Sequence, residues 1–155
     1  MREMAADDYE AVHALYKEPG ALDYMESFFT GEDEEGFFES YVNNMYRFYD
    51  FGMYVVQEKE AGRIVGHVGL GIMEGTDGEP SVTLGYIISE SYRRKGIALW
   101  ACQKVLDYAK DSLYLDKVEI RIHPMNGASM ALGKKLEKEY PGFAAVLPLF
   151  LANSR

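Results

Sequence analysis

"SESYRRKGIALWACQKVLDYAK", residues 89–110, sets Arg93, Arg94 and Lys95 beside Gly96 and then runs directly into helix-forming sequence. Upstream, "SVTLGYIIS" (81–89) is rich in β-branched residues and reads as a strand. Downstream, Ile97 to Asp111 carries Ala101, Val105 and Tyr108 or Ala109 at the spacing of one helix face. Strand, basic glycine turn and helix follow in that order. A helix start offers unpaired N–H groups and partial positive charge, and a glycine lets an anion approach the backbone. Arginines add fixed donors. The stretch therefore reads as a seat for phosphate or pyrophosphate, with a solvated basic turn as the alternative. Neither the P-loop pattern nor a GxGxxG fingerprint accompanies it.

Working outward, Asp7 or Asp8 can cap a short helix reaching about Lys17, stopped by Pro19-Gly20. "EDEEGFFESYVNNMYRFYDF" (32–51) predicts a longer helix, acidic in its first turn, with Phe37, Phe38, Tyr41, Val42, Met45 and Tyr49 along one stripe. Residues 52–74 read as a β-hairpin turning at Glu60-Ala61-Gly62, and a Gly/Asp-rich turn at 75–78 leads into the strand at 81–89. "KVEIRIH" (117–123) alternates Val118, Ile120 and Ile122 with polar neighbours; "NGASMALGKKLEKEY" (126–140) is the last helix and "FAAVLPLFLA" (143–152) the last extended segment. Strands that alternate with helices after a hairpin imply a mixed α/β sheet with a crossover unit. With 155 residues and no linker or repeat, residues 1–155 are expected to be one domain.

The composition excludes several classes. The formal charge is −9, and the acidity is concentrated early: residues 1–60 hold 15 Asp and Glu against 4 Lys and Arg, the remainder 10 against 12. An acidic first part argues against nucleic-acid binding, which needs a basic surface, and suits a cationic partner; solubility alone is the competing explanation. Apolar runs fall short of the ~20 residues of a membrane span, so no membrane role and a cytoplasmic location are expected. Cys102 is the only cysteine, and His13, His67 and His123 are not spaced as a zinc motif, so neither a disulfide nor a metal site is expected.

"RRKGIA" also matches a pattern of Arg or Gln, two residues, Gly, one residue, then Gly or Ala. About thirty residues on, Asn126, Ser129 and Leu132 match an Asn-x-x-Ser-x-x-Leu segment. Together with "GYIISESY" and "MREMAADDYEAV", these resemble the GNAT superfamily of N-acetyltransferases over essentially the whole chain, closest in motif to the ribosomal-protein N-terminal acetyltransferase branch. The resemblance implies an α/β (α+β) fold: a mixed, mostly antiparallel sheet with splayed fourth and fifth strands and about four helices. It implies acetyl-CoA as co-substrate, its pyrophosphate on the amides from Arg94 to Ala98, through Lys95, Gly96 and Ile97, with Arg93 at the front. Backbone near Ile87 and Ile88 would align the pantetheine arm, Asn126 would touch it, and Lys135 would reach the nucleotide end.

Amide formation needs a neutral amine, a polarised thioester and a tolerable leaving group. Presenting neutral lysine at pH 7 costs about 3.5 kcal/mol more than presenting an α-amine, so an α-amine needs little help. Two positions depart from the family. Where many members carry a tyrosine acid stands Gly133, read as drift or as room for the cofactor. Where the ribosomal-protein branch often places a glutamate base stands Thr83. Ser129 is then the expected partner of the leaving sulfur, unless it only serves the helix start, as Asn126 would if it were merely a cap. The base falls to a water, Glu74, Glu79 or His67. Tyr24, Tyr41, Tyr46 and Tyr49 are candidates for an acceptor groove, with the helical spacing of the last three favouring core; Cys102, Tyr86 and Trp100 read as packing residues. The expected activity is transfer of acetyl to a primary amine on a small molecule or peptide, drawn to the acidic part of the chain. The alternatives are a catalytically silent acyl-CoA sensor and an unrelated phosphate-binding module. A homodimer is left open. Fourteen residues follow Pro141, barely a closing hairpin, and Pro148 would interrupt a continuous strand.

Overall fold

In the computed structural model, which describes residues 1–75 and 77–151, the β-rich sequence between Met53 and Ile88 builds the centre of the sheet. Among the described residues six strands lie side by side in chain order: β1 (Arg2–Glu3), β2 (Met53–Gln57), β3 (Ile64–Glu74), β4 (Pro80–Ile88), β5 (Val118–Ile122) and β6 (Ala144–Pro148). The first four pair antiparallel through short connections. β5 and β6 run parallel to β4 because each is reached by a helical crossover, α3 (Ile97–Asp111) and then α4 (Gly127–Glu139). The remaining helices, α1 (Tyr9–Tyr16) and α2 (Glu34–Tyr49), precede β2. No helix of the described residues is long and apolar enough to cross a membrane.

Alternation along the strands feeds two cores. On one side Val68, Leu70, Leu84, Ile88, Val118, Ile120 and Ile122 pack with Ala101, Cys102, Val105, Leu106 and Ala109 of α3 and Leu136 of α4. On the other, Val55 and Ile87 pack with Val12, Leu15, Phe29 and Phe38 under α1 and α2. The inner face of α3 thus takes Ala109, and Tyr108 stands partly exposed, its hydroxyl donating to the Asp50 carbonyl. In α2 the stripe is shifted. Tyr46, not Tyr49, is buried, because its hydroxyl bridges the Met4 amide and the Met53 carbonyl. Trp100 is 42% exposed and is not a packing residue.

At the N-terminus the expected cap is redirected. Asp8 makes no cap bond to α1; its carboxylate accepts from the Ala5 amide and is clamped by Arg2 at 2.7 and 2.9 Å. The guanidinium holds the Asp8 carboxyl below its usual range. Asp33 does cap α2, accepting from the Gly36 amide at 2.9 Å.

Two features of the later strands matter below. β4 and β5 pair only at Thr83 and Glu119 and then part, leaving an opening bounded by their C-terminal halves. After Pro141 the described chain forms one strand, β6, in place of a hairpin, and Pro148 ends it, so residues 149–151 do not continue the strand as expected; residue 152 lies outside the described residues. On the outer margin of β6 the Ala144 amide donates to the Tyr140 carbonyl, the Val146 amide donates to Glu137 Oε2 at 2.9 Å, and Pro148 has no N–H.

Candidate active site

Sequence dictates the loop at the head of α3. Arg94 (φ 61°) and Gly96 (φ 80°) both lie in the left-handed region, so the chain turns sharply into the helix. Glycine at 96 needs no compensation, and a Cβ there would meet nothing within 4 Å, so the outer side of the turn is open. The first intrachain amide bond past this turn is Trp100 to the Gly96 carbonyl; among the described residues the amides of Arg94 to Ala98 have no partner. These orphan donors and the open glycine suit a phosphate group. The three basic side chains differ in direction. Arg93 folds back, its Nε donating to the Ile88 carbonyl at 3.0 Å, and Lys95 Nζ lies 5.2 Å from the Tyr92 ring centroid. Arg94 has no such contact among the described residues. Glu18, at the end of α1, accepts from Ser89 Oγ and the Glu90 amide and steadies the approach to the loop.

The opening between β4 and β5 is a cleft of about 290 Å³. Tyr86 and Thr83 line it from β4, Arg121 and His123 from the β5 side, Asn126 and Ser129 from the start of α4, and Tyr24 and Glu26 from the α1–α2 connection. Asn126 Oδ1 accepts from the Ser129 amide, so Asn126 caps α4 and faces the cleft at once. Tyr86 is more than a packing residue: its hydroxyl donates to Ser129 Oγ at 2.8 Å. Burial pushes the Tyr86 phenol up to about 12, so it stays protonated near neutrality. Ile87 and Ile88 have buried side chains, one in each core, so only their backbone can serve a ligand. Lys135 is exposed on α4 and does not line the cleft.

Gly133 has a packing explanation and leaves no room for a cofactor. It is buried where α4 meets the sheet, and a Cβ would stand 2.6 Å from Ile122 Cδ1 and 2.8 Å from Val146 Cγ2. Gly133→Tyr is therefore expected to destabilise the fold by about 3 kcal/mol or more through overpacking, without supplying an acid. In thermal melting this is a fall of roughly 6–12 °C; an unchanged melting temperature would show that α4 can stand off the sheet.

The candidate bases separate on geometry. His67 is fully buried under α1: Nδ1 accepts from the Tyr16 hydroxyl at 2.7 Å, and Nε2 faces Met4 Sδ at 3.1 Å. Burial drives its pKa down to about 3, so it is neutral, sealed and remote from proton transfer. Glu74 and Glu79 are exposed and do not line the cleft. His123 does line it, but Nδ1 accepts from the Met125 amide, which places the proton of the neutral ring on Nε2 and leaves no free lone pair. Among tyrosines, Tyr24 reaches the cleft, with its ring 5.3 Å from that of His123. Tyr41 and Tyr46 belong to the α2 packing, where the Tyr41 hydroxyl accepts from the Met53 amide. Sequence reasoning missed one pair altogether. Glu119, directly opposite Thr83, is buried and accepts from Arg121 Nε and Nη2, while Nη2 also donates to the Glu74 carbonyl. Arg121 thus stands at the cleft with its charge balanced.

A family model of the acetyltransferase (GNAT) domain matches residues 1–137, and the chain belongs to that family. It is 24% identical over 143 residues to the uncharacterized N-acetyltransferase p20 of Bacillus licheniformis, covering 92% of this chain and 79% of that one. A putative GnaT-family acetyltransferase from Bordetella pertussis superimposes with a TM-score of 0.71 at 18% identity, over 87% of this chain and 81% of the other. The ribosomal-protein-S5-alanine acetyltransferase of Vibrio fischeri gives a TM-score of 0.71 at 15% identity, over 87% and 76%. These structures share the mixed sheet and its flanking helices. Acetyl-CoA is the co-substrate of the family.

Proposed function

We propose that this chain is an active N-acetyltransferase in which a primary amine attacks the acetyl group of acetyl-CoA directly, both substrates being bound together. The observation that carries the reading is the set of unpartnered amides from Arg94 to Ala98, in the turn that follows β4 in the chain, and it is supported by Ser129, which lines the cleft beside β4. The amides would hold the pyrophosphate, with Arg93, Arg94 and Lys95 around them. The backbone of Ile87 and Ile88 would align the pantetheine, with Asn126 beside it and Lys135 toward the nucleotide. Acetyl-CoA supplies an activated carbonyl and a thiol leaving group. The new N–C bond forms as the C–S bond breaks. The amine proton passes to water in the cleft, and Ser129 offers its hydroxyl hydrogen to the departing sulfur. Positioning supplies much of the acceleration. Isothermal titration with CoA, followed by an amine panel with acetyl-CoA read by product mass, tests the proposal. The second reading, a silent acyl-CoA sensor, is favoured by Thr83 in the place of a base; CoA binding without any acetylated product would establish it.

A cationic acceptor suits the charge distribution. Of the acidic run at 32–35, Asp33 caps α2 and Glu34 pairs with His13 at 2.6 Å, and none lines the cleft; Glu26 does. Glu26→Gln is expected to raise the acceptor KM about fivefold and to flatten its rise with salt, since attraction fades as the screening length shrinks from ~10 Å at 0.1 M to ~3 Å at 1 M. A KM indifferent to both salt and this substitution would assign the acidity to solubility.

A further inference from the structure

The Tyr86–Ser129 contact joins a strand residue to a helix residue 43 positions later, inside the cleft. Both groups are hydroxyls, so which one donates is a matter of acidity. A phenol is the stronger donor and an aliphatic alcohol the better acceptor, so the hydrogen lies with Tyr86 and Ser129 Oγ accepts. The amide of Ser129 is already tied to Asn126 Oδ1. With its main chain pinned from one side and an Oγ lone pair occupied from the other, Ser129 keeps one hydrogen, which has no acceptor among the described residues. The rotor is thereby restricted to directions away from Tyr86.

We infer that Tyr86 is a positioning residue that fixes the Ser129 hydroxyl so that its hydrogen is offered to the sulfur of CoA. The inference rests on the reading of Ser129 given above. Onward proton transfer from tyrosine is a poor alternative. A thiol titrates near ~8.5 by analogy with cysteine, so taking a proton from a buried phenol near neutrality runs uphill. Tyr86 therefore works by orientation, and the phenol keeps its proton throughout. The surroundings suit this role. Tyr86 packs against the core built on α3, so its ring is anchored independently of Ser129.

The test needs no acceptor amine and uses the whole protein. CoA has an ionisable thiol and acetyl-CoA has none, so the ratio of their dissociation constants, followed by titration calorimetry between pH 6 and 10, isolates the thiol. A hydrogen bond from Ser129 stabilises the anionic sulfur and lowers its pKa in the complex. CoA should then gain affinity relative to acetyl-CoA as pH rises through the window between the bound and free thiol values, and level off above the free value. One unit of depression appears as a tenfold change in the ratio. Cys102 does not interfere, because burial raises its own thiol to about 12.

The wild-type protein is expected to show the tenfold gain, Ser129→Ala a flat ratio, and Tyr86→Phe a gain cut to about threefold or less. The double variant should match Ser129→Ala. A ratio that is flat in the wild type, or unchanged in Ser129→Ala, overturns the role of Ser129 and this inference with it. A full tenfold gain in Tyr86→Phe beside a flat Ser129→Ala overturns the inference alone. So does a further effect of Tyr86→Phe when added to Ser129→Ala, which would mean that Tyr86 reaches the sulfur itself. Phenylalanine keeps the ring in the core, and matching acetyl-CoA affinity and melting temperature verify that each variant is folded.

Discussion

Replacing Ser129 with alanine is expected to lower turnover by about a hundredfold while leaving acetyl-CoA affinity nearly unchanged. A single hydrogen-bond donor aimed at developing negative charge is worth ~10² to 10³, and the lower figure applies because a thiol leaves readily. The substitution removes one oxygen from a half-buried position. The bond from the Ser129 amide to Asn126 survives, since it uses the main chain, so the first turn of α4 stays capped. The measurement is steady-state turnover with the best amine of the panel, together with the acetyl-CoA KM. Turnover near the wild-type value would mean that Ser129 serves the helix start and nothing more.

Gly96→Glu should weaken CoA binding by about a hundredfold, a loss of roughly 2.7 kcal/mol. Two effects combine. A side chain at φ 80° favours reshaping of the turn that exposes the amides, at about 1–2 kcal/mol for leaving the left-handed region to glycine. A carboxylate beside orphan N–H groups also competes with the phosphates for them. The Cβ itself meets open space, so the strain is the main structural cost, and the fold is expected to persist with a melting temperature lowered by roughly 2–8 °C. Calorimetric titration with CoA measures the loss. Undiminished affinity in a folded protein would remove the turn from the binding site.

How much of this was legible depended on distance along the chain. The turn at 93–98 could be read because its glycine, its charges and its helix are contiguous. Ser129 was found through the resemblance of Asn126, Ser129 and Leu132 to a segment of the family, all within one short contiguous stretch. The walls of the cleft were another matter. Tyr24 is a groove candidate from the sequence, but nearby Glu26 comes from the same connection with no periodicity to mark it, and Arg121 and His123 alternate with the core residues of β5, where polar neighbours suggest a solvated face. Their face is covered instead, which buries Glu119 and leaves Arg121 as its counter-ion. The hydroxyl contact of Tyr86 joins it to a residue 43 positions later, and nothing in either stretch of sequence signals that the two meet. Gly133 shows the same limit from the packing side: how closely α4 approaches β5 and β6 is a property of three elements together, and no single one of them announces it.

The outer margin of β6 has a consequence for how copies of this protein meet. A strand added to a sheet must exchange donors as well as acceptors with its new neighbour, and here the outward donors are already spent on Tyr140 and Glu137 or missing at Pro148. The opposite margin, β1, is two residues long and charged. Among the described residues neither end is a template for polymerising the sheet. Crowding during synthesis or storage therefore finds no ready seam for strand-on-strand growth, and self-association would have to be built from side-chain surfaces on the helices and loops.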